Sequence, residues 1–409
     1  MAAAARVLDV TRLVSRVGRG AFTGVDRVER AWLAELLARP APVFAVLRAA
    51  PGYILLDRAG AAGLLARLDG RAAWGAPDWI ARLHLRQDPA RRSAFSDLRR
   101  LALAQAPRAG LARMLRRHLP EGVTYLNLGH SNLTDAMLAA VRGVAGARIA
   151  VMLHDTIPLD HPDFAAPGVP AAFAAKLDRV AARADLVIFS SAAAAADARP
   201  HLAQAGRVPP HVVAPLGVTP PAPDPAARPA RVAPDAAIFL ALGTIEPRKN
   251  HALLLDVWAR LRTDPPAGGV PLLCIVGARG WRNRAVFDRL DTAGADIAEL
   301  GALPDGAVAA LLTQARALLF PSFAEGYGLP PFEAMACGTP VICSDLPVLR
   351  EGLGDYPVYA DPRDSYAWEG AIRRLCAHPA AAGPAPVPSW TAHFDTVLSR
   401  IDGLAQPRG

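Results

Sequence analysis

The stretch LGTIEPRKNH, residues 242–251, sets Arg248 beside Lys249 just after an apolar run that ends in Gly243, with Thr244 next in the turn. The chain carries 45 basic residues, and only two of them, Lys176 and Lys249, are lysines. Arginine offers a planar fork of donors, whereas lysine offers a compact charge on a flexible stem. Side by side they suit a diphosphate, whose charge must be met from more than one direction. A strand ending at Gly243 would bring them to the rim of a parallel sheet, ahead of a helix beginning near Asn250. Two surface charges near a helix start are the plainer alternative. Cations there oppose the helix dipole by about 0.3 kcal/mol or more, and an anion bound at the same place reverses that sign.

A second constellation is FPSFAEGYGLPPFEAMACGTPVICSD, residues 320–345. Glu325 is followed by Gly326, Tyr327, Gly328 and Leu329, then by Pro330, Pro331 and Glu333. Prolines suit the first turn of a helix, where no backbone donor is needed. Glycines before it let the backbone approach a ligand and turn its N–H groups inward. Strand, glycine-rich turn and helix N-terminus together make an anion site, and Gly338 is a good helix end. A carboxylate would repel a phosphate, so Glu325 and Glu333 are expected to face hydroxyl groups instead. An acidic residue in a first helical turn is also favoured by the dipole alone.

These loops need a scaffold. Short apolar runs alternate with helical patterns in both halves of the chain, the signature of βαβ units on parallel sheets. In the second half the runs are 237–243, 271–277, 297–301, 317–322 and 340–345. In the first half RVLDVT, PVFAVL, GYILLD, VTYLNLG, RIAVMLHD and DLVIFSS fill the strand role. Six prolines within residues 218–234 read as a linker. The expected division is therefore 1–217, a linker over 218–234, 235–388, and a terminal helix within 389–409. The fold class is α/β, two Rossmann-like doubly wound domains facing across a cleft. Thr23 and Gly24 open a helix with Val25, Val28 and Trp32 on its inner face, and Thr23 suits its N-cap.

Composition narrows the classes. Apolar residues make up 52% and charged residues 20%, which argues for packed domains and against disorder. The net charge of +8 points to phosphate-bearing partners or an anionic membrane surface. Aromatics are only 6% and do not interleave with the basic run, so nucleic acid is disfavoured. Residues 81–118 hold ten arginines against two aspartates, either a solvated helical face or a contact for anionic lipid. Cys274, Cys337, Cys343 and Cys376 lack metal spacing and read as reduced thiols, which fits the cytoplasm. The N-terminus lacks the apolar core of a signal peptide, and no apolar stretch reaches the roughly 20 residues that cross a bilayer.

The block from Glu325 to Glu333 resembles the E-x7-E hallmark of the retaining GT-B glycosyltransferases of family GT4. GTIEPRKNH is similar to that family's donor-phosphate loop, especially in bacterial polysaccharide mannosyltransferases. VGARGW (276–281) and SDLPVLREGLGDYPVYADPRD (344–364) resemble flanking family segments. In the first half HDTIPLDHPDF (154–164), ADLVIFSSAAAAAD (184–197), PLGV (215–218) and GRGAFTGVDRVERAW (18–32) are similar to family loops, with less specificity.

The resemblance implies that Arg248 and Lys249 bind a donor diphosphate and that Glu333 binds ribose hydroxyls. Glu325, with backbone donors from Gly326 to Gly328, would hold the transferred sugar, and His154 would sit beside it. Asp155, Thr23 and Gly24 would belong to an acceptor-side loop. The terminal helix would cross back to the first domain. The implied activity is transfer of a hexose, best matched by mannose from GDP-mannose, with retention, onto a polysaccharide or lipid-linked glycan. UDP-glucose, UDP-galactose and a GDP-deoxyhexose are rival donors. No metal is expected, because the cleft loops carry no DxD-like pair and cationic side chains take its place. The expected location is cytoplasmic, with peripheral contact at the inner face of the membrane. The rival class is a non-catalytic sugar-nucleotide-binding or scaffold subunit, against which the intact Glu325, Glu333, Arg248 and Lys249 argue.

Overall fold

The computed structural model describes residues 5–20, 22–49, 52–83, 88–220, 222–378 and 383–404. Its first sheet contains β1 (Arg6–Asp9), β2 (Val43–Ala49), β3 (Gly52–Leu56), β4 (Ala104–Pro107), β5 (Thr124–Asn127), β6 (Arg148–Met152), β7 (Leu186–Phe189) and β8 (His211–Val213). The strand order is β4-β3-β2-β1-β5-β6-β7-β8. The second sheet contains β9 (Ile238–Leu242), β10 (Leu272–Val276), β11 (Ile297–Gly301), β12 (Ala317–Phe320), β13 (Val341–Ser344) and β14 (Val358–Ala360). Its order is β11-β10-β9-β12-β13-β14, parallel throughout. Every apolar run named from the sequence lies on one of these strands.

The first sheet departs from the all-parallel expectation at one edge. There β2 pairs β3 and β3 pairs β4 antiparallel. β4 reads AQAP, with alternating half-buried and exposed residues and a terminal proline, as befits an edge. The short β8 and β14 likewise carry too little apolar pattern to stand out.

Strand order decides where ligands go. Both sheets reverse direction beside their first strand, between β1 and β5 in one and between β9 and β12 in the other. Loops leaving the C-terminal ends of those strands splay apart and leave a crevice. The 242–251 and 320–345 motifs leave β9 and β12, at the crevice of the second sheet.

The proline-rich 218–234 segment is docked rather than loose. Asp224 N–H donates to Gly306 O at 2.9 Å, Arg231 Nη2 donates to Ile297 O at 2.8 Å, and Val232 is buried. The helix Trp390–Gly403 returns to the first domain. There Trp32 Nε1 donates to His393 Nε2 at 3.1 Å. Indole is a donor only, so His393 carries its proton on Nδ1 and gives it to Ala214 O at 3.0 Å. Arg39 Nη2 pairs with Asp395 at 2.5 Å and Arg6 Nη2 with Asp402 at 2.7 Å, completing the dock.

The arginine-rich segment resolves into the helices Trp79–Leu83, Pro89–Arg100 and Leu111–His118. Arg99 pairs with Asp78 and Arg100 with Asp97, while Arg108, Arg113, Arg116 and Arg117 are exposed. Among the described residues no helix is long and apolar enough to cross a membrane.

Candidate active site in the domain cleft

After β9, residues Pro247–Lys249 form one turn of 3-10 helix. Asn250 then takes a left-handed conformation (φ 53°) that starts the His251–Thr263 helix. Asparagine tolerates that region better than most residues, and its Nδ2 donates to Pro362 O at 2.8 Å. Phe323 N–H donates to Arg248 O at 2.9 Å, tying the β9 loop to the β12 loop.

This turn points both cations at one carboxylate. Arg248 Nη1 lies 2.8 Å and Lys249 Nζ 2.6 Å from Glu325 Oε1. Arg248 also reaches Glu246 Oε1 at 2.7 Å and Ala324 O at 2.6 Å. Lys249 Nζ stands 4.3 Å from the centre of the Phe320 ring. Burial works against ionisation of Glu325, yet Arg248 and Lys249 outweigh it and hold the carboxyl down at about 2. Burial keeps Lys249 below its ordinary value against the pull of the same carboxylate. The two partners thus pull in opposite senses. The carboxylate decides the outcome, since it accepts from two cations at once.

Because a carboxylate repels phosphate, the sequence leads one to expect Glu325 apart from these cations. The structure places it on them as their counter-ion. Two buried cations need a neutralising partner, and desolvation makes that need greater than any repulsion read from sequence.

Tyr327 departs further. Its ring is buried, stacks on Phe332 with centroids 4.7 Å apart, and donates its hydroxyl to Leu216 O at 3.0 Å. The side chain is therefore engaged by Phe332 and by the Leu216 carbonyl. Gly328 (φ 90°) caps the Leu329–Cys337 helix, whose first turn holds Pro330 and Pro331 and whose end is Gly338.

First-domain residues meet this turn. A Cβ on Gly326 would lie 2.5 Å from His154 O and 3.0 Å from Asp155 Cβ, so only glycine allows this approach. His154 Nε2 lies 2.6 Å from Leu128 O and donates to it, which leaves Nδ1 as an acceptor. Burial lowers His154 to about 4. Asp155 Oδ1 accepts from Ile157 N–H at 3.1 Å and so orients its own loop. Burial raises its carboxyl, with Arg248 opposing.

Thr23 is the N-cap of the Gly24–Ala38 helix. Its N–H and hydroxyl both donate to Asp26 Oδ2, at 2.8 and 2.7 Å. Gly24 faces Leu329, whose Cδ1 would lie 3.4 Å from an added Cβ. The N-termini of the two helices therefore meet across the cleft. Thr244 sits in the turn after Gly243, its O accepting from Glu246 N–H at 2.9 Å.

Three features lie outside the residues that the sequence singles out. Arg27 of the first domain pairs with Glu333 of the second at 2.7 Å. His130 follows β5 at the first sheet's own switch point, with its ring 5.5 Å from that of His154. Its Nε2 donates to Met152 O at 2.7 Å, and burial lowers it to about 3. Glu246 is the second partner of Arg248. For His130 a signal existed, since LNLGHSN follows an apolar strand as LHDT does. Among the described residues no group of three His, Cys, Asp or Glu side chains converges as a metal site would require.

Residues 225–382 match the family of glycosyl transferases group 1. O-antigen chain mannosyltransferase B of Escherichia coli is 39% identical over 127 residues, covering 31% of this chain and 33% of that protein. The serotype-specific mannosyltransferase WbdA of Escherichia coli is 32% identical over 266 residues, 61% of this chain and 31% of its own. The chain thus spans about a third of the length of these curated relatives. Among solved structures, sucrose-phosphate synthase of Thermosynechococcus elongatus has a TM-score of 0.62 at 18% identity, with 98% of both chains covered. Anabaena HepE in complex with UDP and glucose has a TM-score of 0.60 at 14% identity, again with 98% of both covered. At such identities the likeness establishes the GT-B fold.

Proposed function

We propose, from the match of residues 225–382 to the glycosyl transferases group 1, that the chain moves a hexose from a nucleotide-diphosphate sugar to a hydroxyl of a glycan. The observation that carries this reading is the convergence of Arg248, Lys249 and the N-terminus of the 329–337 helix at the second sheet's switch point. A diphosphate arriving there competes with Glu325 for both cations. Glu325, released, accepts hydrogen bonds from hydroxyls of the transferred sugar. Glu333 takes ribose hydroxyls at the far end of the same helix turn. His154, neutral and with Nδ1 as an acceptor, receives a hydroxyl of the sugar from the first domain.

Charge builds on the leaving diphosphate as the glycosidic C–O bond breaks. Each charge-assisted hydrogen bond contributes about 1.5–3 kcal/mol, so two of them supply roughly two to four factors of ten in rate. In this reading the side-chain cations and helix N-terminus meet that charge, and activity persists in EDTA. The reaction retains anomeric configuration, with attack from the face the diphosphate leaves. Mannose from GDP-mannose is the donor in this reading, and relatives named as mannosyltransferases support the choice of sugar. The acceptor is a polysaccharide or lipid-linked glycan. The exposed Arg108, Arg113, Arg116 and Arg117 suit peripheral contact with an anionic cytoplasmic membrane face.

Calorimetric titration with GDP, UDP, ADP and dTDP tests the proposal. GDP is expected to bind, and to bind at least tenfold more weakly when Lys249 and Arg248 are both replaced by alanine, as loss of two charge-assisted contacts requires. Binding of UDP instead moves the donor to a uridine sugar. Binding of none returns the chain to the scaffold class.

A further inference from the structure

We propose that Arg27 is a positioning residue for the donor's ribose: from the first domain it fixes Glu333 of the second and leaves one carboxylate oxygen for the ribose hydroxyls. The nucleotide site is then complete only where the two domains meet. This rests on the donor-site reading above and adds to it a residue from the opposite side of the cleft.

Arg27 lies in the second turn of the Gly24–Ala38 helix, whose N-terminus abuts Leu329. Its guanidinium forks. Nη1 donates to Glu333 Oε1 at 2.7 Å, and Nη2 donates to Asp305 Oδ1 at 2.5 Å, at the start of the Asp305–Gln314 helix. The two branches differ in worth. The Asp305 side chain is 54% exposed, so its pair with Arg27 is a surface contact of small effect. Glu333 is 13% exposed and shares Arg27 with Asp305, so without that cation it would be a nearly buried charge that also feels a like charge.

Burial already raises the Glu333 carboxyl, with Arg27 opposing and Asp305 adding to the rise. Cys337, one turn further along the same helix, also senses its charge. Arg27 therefore opposes that rise and favours the ionised carboxylate. A carboxylate has about four lone-pair sites, and Arg27 engages Oε1 alone, so Oε2 remains for vicinal hydroxyls.

The test measures binding of GDP and UDP, and of their 2′,3′-dideoxy counterparts, to the full chain and to R27A, R27K and E333Q. The wild type is expected to prefer the ribose form about tenfold or more, as one or two charge-assisted bonds require. E333Q should bring the preference within about twofold, R27A within about threefold, and R27K should restore an intermediate value. Unfolding midpoints of all four proteins are recorded alongside. If R27A weakens both forms equally, or only lowers the midpoint, Arg27 is a domain latch and the inference falls while the donor site stands. If E333Q also leaves the preference intact, or the wild type binds neither nucleotide, the donor-site reading falls and takes this inference with it.

Discussion

Lys249 Nζ and Glu325 Oε1 lie 2.6 Å apart across 76 positions of sequence. The lysine read as a phosphate ligand is thus also the counter-ion of a buried carboxylate. This makes K249A a double loss. Nucleoside-diphosphate affinity should fall at least tenfold. Stability should fall by about 1–3 kcal/mol, less than for an unpaired buried charge because Arg248 remains on Glu325. The K249A/E325A double variant should regain most of that stability and none of the affinity. Denaturant unfolding and calorimetry of the three proteins check this. Recovery of affinity in the double variant would place the phosphate elsewhere.

Gly326 gives a way to separate closure from binding. In G326A the new Cβ meets His154 O at 2.5 Å, a backbone atom that yields only if the loops part. Displacement of reacting groups by about 1 Å costs on the order of a hundredfold in rate. The expected outcome is a hundredfold loss of turnover, with nucleotide affinity falling by no more than the roughly tenfold that the Arg27–Glu333 contact across the domains supplies. Small-angle scattering should show a larger radius of gyration. An unchanged radius with full activity would mean the loops do not need to touch.

What the sequence made legible was whatever it encodes locally. The runs ending at Gly243 and Ser322 are short, almost wholly apolar and closed by a glycine or a proline, so their strands could be placed. The 329–337 helix was marked at both ends by Pro330, Pro331 and Gly338. The edge strand 104–107 was hidden, because AQAP has neither burial nor β-branched residues to announce it. Partnerships were hidden for a different reason. Arg27 and Glu333 are separated by 306 positions, and only the docking of two domains brings them within 2.7 Å. Glu325 illustrates the same limit: its residue type was informative, but its partner was a matter of burial. Tyr327 sits inside a ligand-like motif, yet its ring faces Leu216.

That reversal at Tyr327 can be measured. Y327F leaves Leu216 O without its donor in a buried contact, which costs about 1–3 kcal/mol. The stacking on Phe332 survives, since the ring is kept. Nucleotide affinity and turnover should stay within about twofold of wild type, given that the hydroxyl is committed to Leu216 O. Loss of donor affinity without loss of stability would return the phenol to the donor site.

The last expectation concerns protons on His154. Burial pushes it down to about 4, although its Nε2–H donates to Leu128 O. An unfolded chain protonates histidine from about pH 6.5 downward. Between those values the unfolded state binds more protons, so stability rises with pH across the window and is lost as pH falls from about 6.5 toward 4. Asp9, Glu29 and Glu333, whose carboxyls are raised by burial, act in the opposite sense. The histidine's share must therefore be read as a difference. H154Q keeps a side-chain donor for Leu128 O, and its loss of stability between pH 7 and 4.5 should be smaller than that of wild type by about 2 kcal/mol. Turnover should tell the same story, because the neutral ring persists to low pH. The His154 contribution to the rate is expected to stay flat from pH 8 to about 5.5 and to decline only toward 4. A limb near pH 6.5 in wild type, absent from H154Q, would show that the ring is exposed and ordinary, and would remove it from the buried rim of the cleft.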